Sequence, residues 1–455
     1  MCHSLCNHLP WGHSLHSPAL EARFWKDPGS TAVYIRCKIF ADKLTSCSID
    51  VNTPKDAAIS EMAYGLSDEL FSRLVVLRRW FHQHPELAFE EADTAQRIIR
   101  ELERLKIDYD YAGIGHAVIG HVAGLDSTRP VIGLRAEMDA LPGDETTGVA
   151  YASVNPGKMH ACGHGAHMAM LIGAAELLCN DSPPGPVRLI FQPAEERGGG
   201  ARTAIADGAL QNVAAIFAGH VTHDYHTGQI MVRDGVVTAQ SDRFSIRIRG
   251  RGGHGARPHE AVDAVVISGF LIIALQTLVS RETNPFHPTV VTIGKIHAGS
   301  APNVIAEEAI LEGSIRTSNP DVRQHILRGI ERMISAAAEL HNAKITVEFG
   351  AGYPPVINDP AGAAIAREAA SRIVGADNVV GSEHPSMGSE DFSFFLEHVP
   401  GAFVRFGARE ERWAPVPLHS PAFDIDEKAL AVGARFYDQV VRTAHGRIGA
   451  EFDGV

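Results

Sequence analysis

The chain has 455 residues, of which 45% are hydrophobic and 21% are charged, a balance typical of a soluble protein of two or three domains. Its formal charge of −13 at pH 7 disfavours nucleic acid and anionic membranes as partners, since both require clustered lysine and arginine. No apolar run approaches the roughly 20 residues of a membrane span, and the N-terminus lacks a secretory pattern. A cytoplasmic protein that acts on a small molecule is predicted.

The first part of the chain differs from the rest. Four of the six cysteines lie in the first fifty residues, and the two others are too few for a disulfide framework. Residues 1–60 show no clean hydrophobic period and are predicted to form a poorly ordered N-terminal extension. Organised sequence begins near Ser67, where apolar residues recur at helical spacing.

Three short apolar segments, 130–134, 187–191 and 214–218, are predicted to be buried strands. Helical segments separate them, which favours an α/β fold with a mostly parallel, helix-covered sheet. Polar residues follow each strand, namely Asp139, Glu195 with Glu196, and His220. Ligands of such sheets bind beyond the carboxyl ends of the strands, so these residues are predicted to share one site.

The stretch 159–167, Met-His-Ala-Cys-Gly-His-Gly-Ala-His, carries one thiol and three imidazoles ahead of a helix predicted over 168–179. Cys162 and His164 are two residues apart and can both turn toward one point in front of that helix. Thiolate and imidazole suit zinc, manganese, nickel or cobalt. For this stretch alone, a buried cysteine with surface histidines is the alternative.

Five side chains at these strand ends and in nearby loops are candidate metal ligands. They are Cys162, His164, Glu196, His220 and His419. The mixture suffices for one or two divalent transition-metal ions, manganese, zinc, nickel or cobalt, with a position left for water, and no organic cofactor is expected. Glu195 is the predicted general base, because adjacent carboxylates in an irregular loop can point different ways. A solvated surface pair is the alternative, which the preceding apolar strand and the following glycines disfavour.

The hydrophobic pattern changes after Gln240. Its segments are a strand from 244, a helix at 261–279, strands at 289–296 and 309–317, a helix at 321–341 and a strand at 344–349. This βαββαβ order predicts a ferredoxin-like dimerisation or lid domain at 241–352, inserted between catalytic-domain parts 61–240 and 353–455. A homodimer or higher homo-oligomer through the inserted domain is expected, because a sheet edge and an apolar helix offer an interface.

Seven stretches, in order between about 74 and 441, resemble the metal-dependent aminoacylase and carboxypeptidase family. They are 135–142 (Arg-Ala-Glu-Met-Asp-Ala-Leu-Pro), 159–164, 191–196 (Phe-Gln-Pro-Ala-Glu-Glu), 250–259, 303–305, 387–392 (Met-Gly-Ser-Glu-Asp-Phe) and 418–421. The chain is most similar to the amidohydrolase branch that includes hippurate hydrolase and the indole-acetyl-amino-acid hydrolases. The resemblance implies hydrolysis of a C–N bond in a small carboxylate-bearing substrate.

The resemblance also implies a role for each matching residue. The five candidate ligands match the family's metal ligands, and Glu195 matches its general acid/base. His254 matches a histidine of the inserted domain that reaches a neighbouring subunit's active site and steadies the oxyanion. Asn303 and Arg316 match positions near the substrate carboxylate, which a guanidinium can pair bidentately. Asp139 is expected to orient a metal ligand. A structural ion pair remains the alternative for Arg316, and a turn residue for His254.

Two positions depart from the branch. Gly165 stands where an aspartate usually follows Cys-Gly-His, and Glu137 replaces the first aspartate of Asp-Met-Asp-Ala-Leu-Pro. Losing an acidic neighbour is expected to lower metal affinity about 10-fold or more, which makes one labile metal as well supported as two tightly held ones.

Three functions remain open at this point. An N-acyl or N-aroyl amino acid is the favoured substrate. The first alternative is an aminohydrolase that removes an amino group as ammonia from an aromatic amino acid such as a nitro-substituted aminobenzoate. The second is a non-catalytic relative that uses its inserted domain for assembly, which the intact set of ligands and Glu195 disfavours.

Overall fold

The computed structural model describes residues 63–350 and 352–448. It also describes three short strands, Ala22–Lys26, Val33–Cys37 and Cys47–Ile49, which pair antiparallel. The expectation for the remainder of residues 1–60 lies outside the described residues. Between 63 and 448 the described chain forms an eight-stranded sheet and a four-stranded sheet, each with its own hydrophobic core.

The first part of the chain supplies six strands of the large sheet. They are β1 (Asp108–Tyr111), β2 (Val118–Val122), β3 (Val131–Glu137), β4 (Val187–Gln192), β5 (Val213–His226) and β6 (Ile230–Met231). The helices of this part are α1 (Asp68–Gln83), α2 (Ala92–Leu105), α3 (His164–Asn180) and α4 (Gly200–Ala206).

The middle of the chain forms the smaller sheet. Its elements are β7 (Gln240–Arg249), α5 (Ala264–Thr277), β8 (Thr289–Ala298), β9 (Glu308–Thr317), α6 (Pro320–His341) and β10 (Lys344–Gly350). The strands are antiparallel in the order β8-β9-β7-β10. Alternate residues of β7 are buried, because one face of the sheet packs against α5 and α6 and the other does not.

The end of the chain returns to the large sheet. Its elements are α7 (Pro360–Val374), β11 (Val379–Val380), α8 (Ser393–Leu396), β12 (Gly401–Arg409) and α9 (Ala429–Arg447). The strand order is β11-β6-β12-β5-β3-β4-β2-β1, with the four central strands β12, β5, β3 and β4 parallel. This confirms the predicted α/β fold with a large, mostly parallel sheet.

Helix α3 is the buried centre of one layer on the large sheet. It is apolar on nearly all sides, as expected for a helix enclosed by α1, α9 and the sheet. A Cβ at Gly173 would lie only 2.8 Å from Leu74 and 2.9 Å from Ala434, so this glycine permits the close approach of three helices. The close packing fixes where the N-terminus of α3, and therefore Cys162 and His164, meets the sheet.

Two predicted boundaries near the site are wrong. Helix α3 begins at His164 rather than at 168, directly after Gly163. Strand β5 continues to His226, so His220 lies within a strand and not beyond its end. The reason is the neighbouring strand β12, which pairs with β5 as far as Thr222 and extends the strand through polar residues.

Helix α5 corrects the expectation that no apolar run approaches the length of a membrane span. The segment Ala264–Glu282 is long and apolar enough to cross a membrane by length and composition, with a mean hydropathy of 1.8. One face of this segment packs on the small sheet through Ile267, Leu271 and Leu275. The opposite face is exposed and includes Ile273, which is 73% exposed.

Candidate metal centre

Cys162 and His164 are placed by the glycine between them. Gly163 has a φ of 89°, and a Cβ there would clash with Val221, so the backbone requires a residue without a side chain. Cys162 and His164 are both buried, at 6% and 0% exposure. The turn at the start of α3 therefore brings the thiol and the imidazole together against β5.

Two of the histidines have their ring protons assigned by backbone carbonyls. Nδ1 of His164 lies 2.8 Å from the carbonyl oxygen of Asp139, and Nδ1 of His220 lies 2.7 Å from that of Val221. Because a carbonyl oxygen only accepts, each Nδ1 carries a proton, and Nε2 is the ring nitrogen that a metal ion could bind. Nε2 of His164 is buried without a hydrogen-bond partner among the described residues, and Nε2 of His220 lies 3.3 Å from the Cys162 sulfur.

Glu196 approaches the same point from the loop after β4. This loop is so tight that a Cβ at Gly200 would clash with the carbonyl oxygen of Pro193. The Glu196 N–H donates to Oδ2 of Asp139 at 3.0 Å. Asp139 thus contacts two of the predicted ligands, His164 through its carbonyl and Glu196 through its carboxylate.

His419 completes the cluster from the end of the chain. Its φ of 68° is unusual for a residue with a side chain, and its N–H donates to the carbonyl oxygen of Ala161 at 2.8 Å. Its Nε2 lies 3.2 Å from Oε1 of Glu196. The ring is 54% exposed, which leaves this side of the cluster open to solvent.

The five predicted ligands converge in space. The ligand atoms of Cys162, His164 and His220 lie within 4.8 Å of one another, as do those of Cys162, Glu196 and His419. One thiol, three imidazoles and one carboxylate fit a divalent transition metal, and the unpartnered His164 Nε2 is the atom that such an ion would satisfy. Burial and then repulsion from Glu196 raise the pKa of the Cys162 thiol, whereas a bound cation favours the thiolate.

Glu195 lies beside the cluster and is only 6% exposed. One of its carboxylate oxygens is within 4.8 Å of ligand atoms of His164 and Glu196. Its pKa is raised well above the usual range by burial and then by repulsion from Glu390 and Glu196. The hydroxyl of Tyr353 donates to the Glu195 carbonyl oxygen at 2.6 Å, which fixes its backbone. A buried carboxyl with a raised pKa is suited to taking up and releasing a proton.

Behind the cluster lies a buried network of charged side chains that was not predicted from the sequence. Arg135 is fully buried and donates to Glu137, to Glu390 at 2.9 Å and to Asp391 at 2.7 Å. Burial raises the pKa of Asp391 to about 8; attraction to Arg135 opposes this rise only in part, and repulsion from Glu390 adds to it. An arginine directly after the apolar predicted strand 130–134 was a sequence signal for this network, because such a charge, when buried, requires partners.

No role was predicted from the sequence for His167 either. Its Nδ1 donates to Glu137 at 2.8 Å, and its Nε2 accepts the N–H of Val221 at 2.9 Å. Both ring nitrogens are therefore used within the protein. The substituted residue Glu137 keeps a carboxylate in contact with both His167 and Arg135.

The other departure, Gly165, faces away from the ligand atoms. A Cβ there would lie 3.2 Å from the Cβ of Phe81 and 3.7 Å from the carbonyl oxygen of Arg78, both in α1. A side chain at 165 would therefore begin against α1. The expected effect of this departure on metal affinity stays a prediction.

The predicted substrate residues fall into two cavities. Arg316 lines a cavity of about 670 Å³ together with Glu195, Glu196 and three of the other predicted ligands. His254 and Asn303 instead line a second cavity, where Gly253–His254 pairs with Val304–Ile305. His254 is exposed. Within the described single chain, the structure does not bring these two residues into the cavity of the metal ligands.

Glu91 is a further buried carboxyl group that was not predicted to matter. It is 1% exposed, and its Oε1 accepts the N–H of Ala194, the residue before Glu195, at 2.9 Å. Its Oε2 is buried and lacks a hydrogen-bond partner in the described part of the chain. Burial and then repulsion from Asp139 raise the pKa of Glu91 to about 7.

A buried carboxyl group beside clustered side chains that could bind a metal ion is an arrangement typical of metal-dependent hydrolases. Residues 133–443 match the family described as Peptidase family M20/M25/M40. The match covers more than half of the chain, and the chain belongs to this family. The resemblance found in the sequence is confirmed.

Individual relatives agree. The chain is 40% identical over 373 residues to the N-acetyl-L-cysteine deacetylase of Bacillus subtilis (strain 168), covering 81% of this chain and 87% of the relative. It is 38% identical over 377 residues to IAA-amino acid hydrolase ILR1-like 4 of Arabidopsis thaliana, covering 81% and 85%. The YXEP protein of Bacillus subtilis, a dinuclear metal binding peptidase of the M20 family, matches with a TM-score of 0.72 at 35% identity, covering 84% and 99%. The chain is a metal-dependent hydrolase with a centre for one or two divalent ions.

Replacing Glu91 with glutamine should remove one pH-dependent contribution to the stability of the metal-free protein. A carboxyl whose pKa is raised on folding stabilises the fold fully below its ordinary pKa of 4.5, and this contribution is lost as the pH rises toward 7. The free energy of unfolding of Glu91→Gln minus that of the wild type should therefore increase between about pH 5 and 7, by up to about 1.4 kcal/mol per pH unit. Urea titrations at each pH measure it.

The exposed neighbour Glu90 provides the matched control. The variant Glu90→Gln should show a difference from the wild type that stays flat over the same range, because this carboxylate lies at the surface, where it pairs with Lys158. An equally flat difference for Glu91→Gln would show that the Glu91 carboxyl titrates normally.

Proposed function

We propose that this hydrolase cleaves the amide bond of an N-acyl or N-aroyl amino acid. The observation that carries the proposal is the buried Glu195, which lies beside the ligand cluster and lines the same cavity as Arg316. A proton-transferring group, a metal site and a carboxylate-binding cation are the parts this reaction requires. Support comes from relatives whose names state that they act on N-acetyl-L-cysteine and on IAA-amino acid conjugates.

The proposed metal ligands are Cys162, His164, Glu196, His220 and His419, which would hold manganese, zinc, nickel or cobalt. A divalent ion bound there supplies Lewis acidity, which acidifies water and polarises the oxygen of the scissile bond. Glu195 takes the proton from water and delivers it to the leaving nitrogen. Asp139 holds the His164 ring and the Glu196 backbone in place.

Arg316 is proposed to bind the substrate's carboxylate. Among the described residues, its guanidinium donates hydrogen bonds only to neutral groups, the carbonyl oxygen of Met387 at 3.2 Å and the hydroxyl of Ser389 at 3.1 Å. It forms no ion pair with a described residue. The alternative role of Arg316, a structural ion pair, therefore has no partner in this part of the chain. A carboxylate of the substrate would supply the missing negative charge.

We further infer that residues 241–352 are an inserted ferredoxin-like domain for dimerisation and closure, between catalytic parts 61–240 and 353–455. The order βαββαβ and the sheet order β8-β9-β7-β10 support this assignment. The exposed apolar face of α5 supports an interface between two copies. His254 and Asn303 would then enter the site of a neighbouring subunit, since in their own chain they line a different cavity. A cytoplasmic location remains a prediction.

The proposed reaction is tested by the product released. The protein, loaded in turn with manganese, zinc, nickel or cobalt, should release the free amino acid from a panel of N-acetyl and N-aroyl amino acids, because the amide bond is the one that breaks. Amino acid and ammonia are measured in parallel with metal-stripped protein as the blank. Release of ammonia from aminobenzoates, with no cleavage of any amide, would replace the proposal by the aminohydrolase alternative.

Replacing Glu195 with glutamine should lower kcat by about 100-fold or more, because the amide keeps the size of the side chain but cannot transfer the proton. Metal content, measured on the purified protein, should stay at the wild-type level, since Glu195 is not a proposed ligand. The exposed Glu331 on α6 gives the control Glu331→Gln, which should retain full activity. Full turnover by Glu195→Gln would remove Glu195 from this role.

Mixing two inactive variants tests whether His254 acts across subunits. In a hybrid dimer of Glu195→Gln and His254→Ala, one of the two sites contains both intact residues, drawn from different chains. Co-expression at equal levels should therefore restore about a quarter of wild-type activity, while each variant alone stays inactive. If His254 acted within its own chain, the mixture would be as inactive as its components.

A further inference from the structure

Beyond Arg316, the cavity of about 670 Å³ is lined by two more half-buried arginines that form no ion pair with a described residue. They are Arg405 and Arg233. The side chain of Arg405 forms no hydrogen bond or ion pair with any described residue, and its guanidinium lies 5.3 Å from the centre of the Phe403 ring. Arg233 donates to the carbonyl oxygen of Ser382, and its Nε is buried without a partner.

The position of Arg405 follows from the register of the large sheet. It lies on β12 directly between His220 on β5 and Met231 on β6. Residues paired in this way are neighbours on one face of a sheet, at a strand separation of about 4.8 Å. Arg405 therefore borders a proposed metal ligand, and Arg233 follows Met231 by two residues along the same rim.

The carboxylates of the cavity do not neutralise these cations. Glu390 is paired with the buried Arg135, and Asp242 pairs bidentately with Arg323 at 2.7 and 2.8 Å. Glu195 and Glu196 belong to the catalytic cluster, and Asp224 is exposed and forms no ion pair with a described residue. Partial burial of a guanidinium without a counter-charge costs free energy of desolvation. We therefore interpret these arginines as a binding site for an anion from outside the protein.

Resting on the proposed function, we propose that the substrate is a dianion, with one carboxylate at Arg316 and a second anionic group held by Arg405 and Arg233. Such a molecule is an N-acyl derivative of an acidic amino acid, or an amino acid whose acyl group is a dicarboxylic acid. Both place a second carboxylate within a cavity of about 670 Å³ that also contains the ligand cluster. The geometry of Arg405 beside His220 sets the second group close to the scissile bond.

Isosteric substrate pairs separate charge from size. N-acetylaspartate is compared with N-acetylasparagine, N-acetylglutamate with N-acetylglutamine, and N-succinylalanine with its succinamyl analogue. The wild type should favour the acidic member by about tenfold or more in kcat/KM. A preference in the first two pairs would indicate an acidic amino acid, and a preference in the third pair would indicate a dicarboxylic acyl group. Equal cleavage of both members in every pair would overturn the proposal, whereas cleavage of no member would count against the proposed function itself.

Substitution of the arginines identifies the binding group. Arg405→Met and Arg233→Met should each reduce the acidic-to-neutral ratio about tenfold, mainly through KM, and Arg405→Lys should retain part of it. Arg372→Met, on the exposed surface of α7, is the control and should leave the ratio unchanged. Metal content of each variant shows whether the neighbouring His220 is still in place. A loss of activity that is equal for both members of a pair in Arg405→Met, Arg405→Lys and Arg233→Met would overturn the assignment.

Discussion

The buried guanidinium of Arg135 is the contact on which the arrangement of the site depends. It joins β3 to Glu390, 255 positions away in the chain, and to Asp391 beside it. Its other partner, Glu137, accepts from His167, whose second nitrogen accepts the Val221 N–H next to His220. Removing one member of a buried ionic network leaves an uncompensated charge that costs about 3–5 kcal/mol. The network therefore specifies how β3 meets the segment that carries Glu390 and Asp391, and it links β3 to the strand that contains His220.

Local patterns were sufficient for the parallel sheet and for most of the site. Apolar runs followed by polar residues located β3, β4 and β5, and the spacing of Cys162 and His164 placed both before the same helix. The pattern failed where a partner distant in sequence decides the outcome. His220 lies within β5 because β12 pairs beyond it, and nothing near residue 220 reveals that partner. The roles of Arg135, His167 and Glu91 likewise depend on contacts across the fold that spacing cannot supply.

The segment of the small sheet illustrates a different limit. Alternating apolar and polar residues predicted its first strand, and the observed elements lie within a few residues of the expected ones. A single chain nevertheless leaves the face of α5 that includes Ile273 in solvent and places His254 outside the main cavity. Both features are explained together if a second copy covers the apolar helix and receives the histidine. The exposed apolar face of α5 and the position of His254 are the features of the single chain that support this proposal.

The distribution of charge connects the site to its substrate. The chain carries a formal charge of −13, yet the main cavity is lined by six arginines, three of them half-buried and without a carboxylate partner among the described residues. In a cavity with low-dielectric walls, such cations act on a bound anion more strongly than the distant surface charges, which salt screens. The negative surface disfavours large polyanions, while the recessed guanidiniums attract a small one. Under the proposed function, a small, carboxylate-bearing substrate would be selected both by the size of the cavity and by the contrast in charge between the surface and the interior of the cavity.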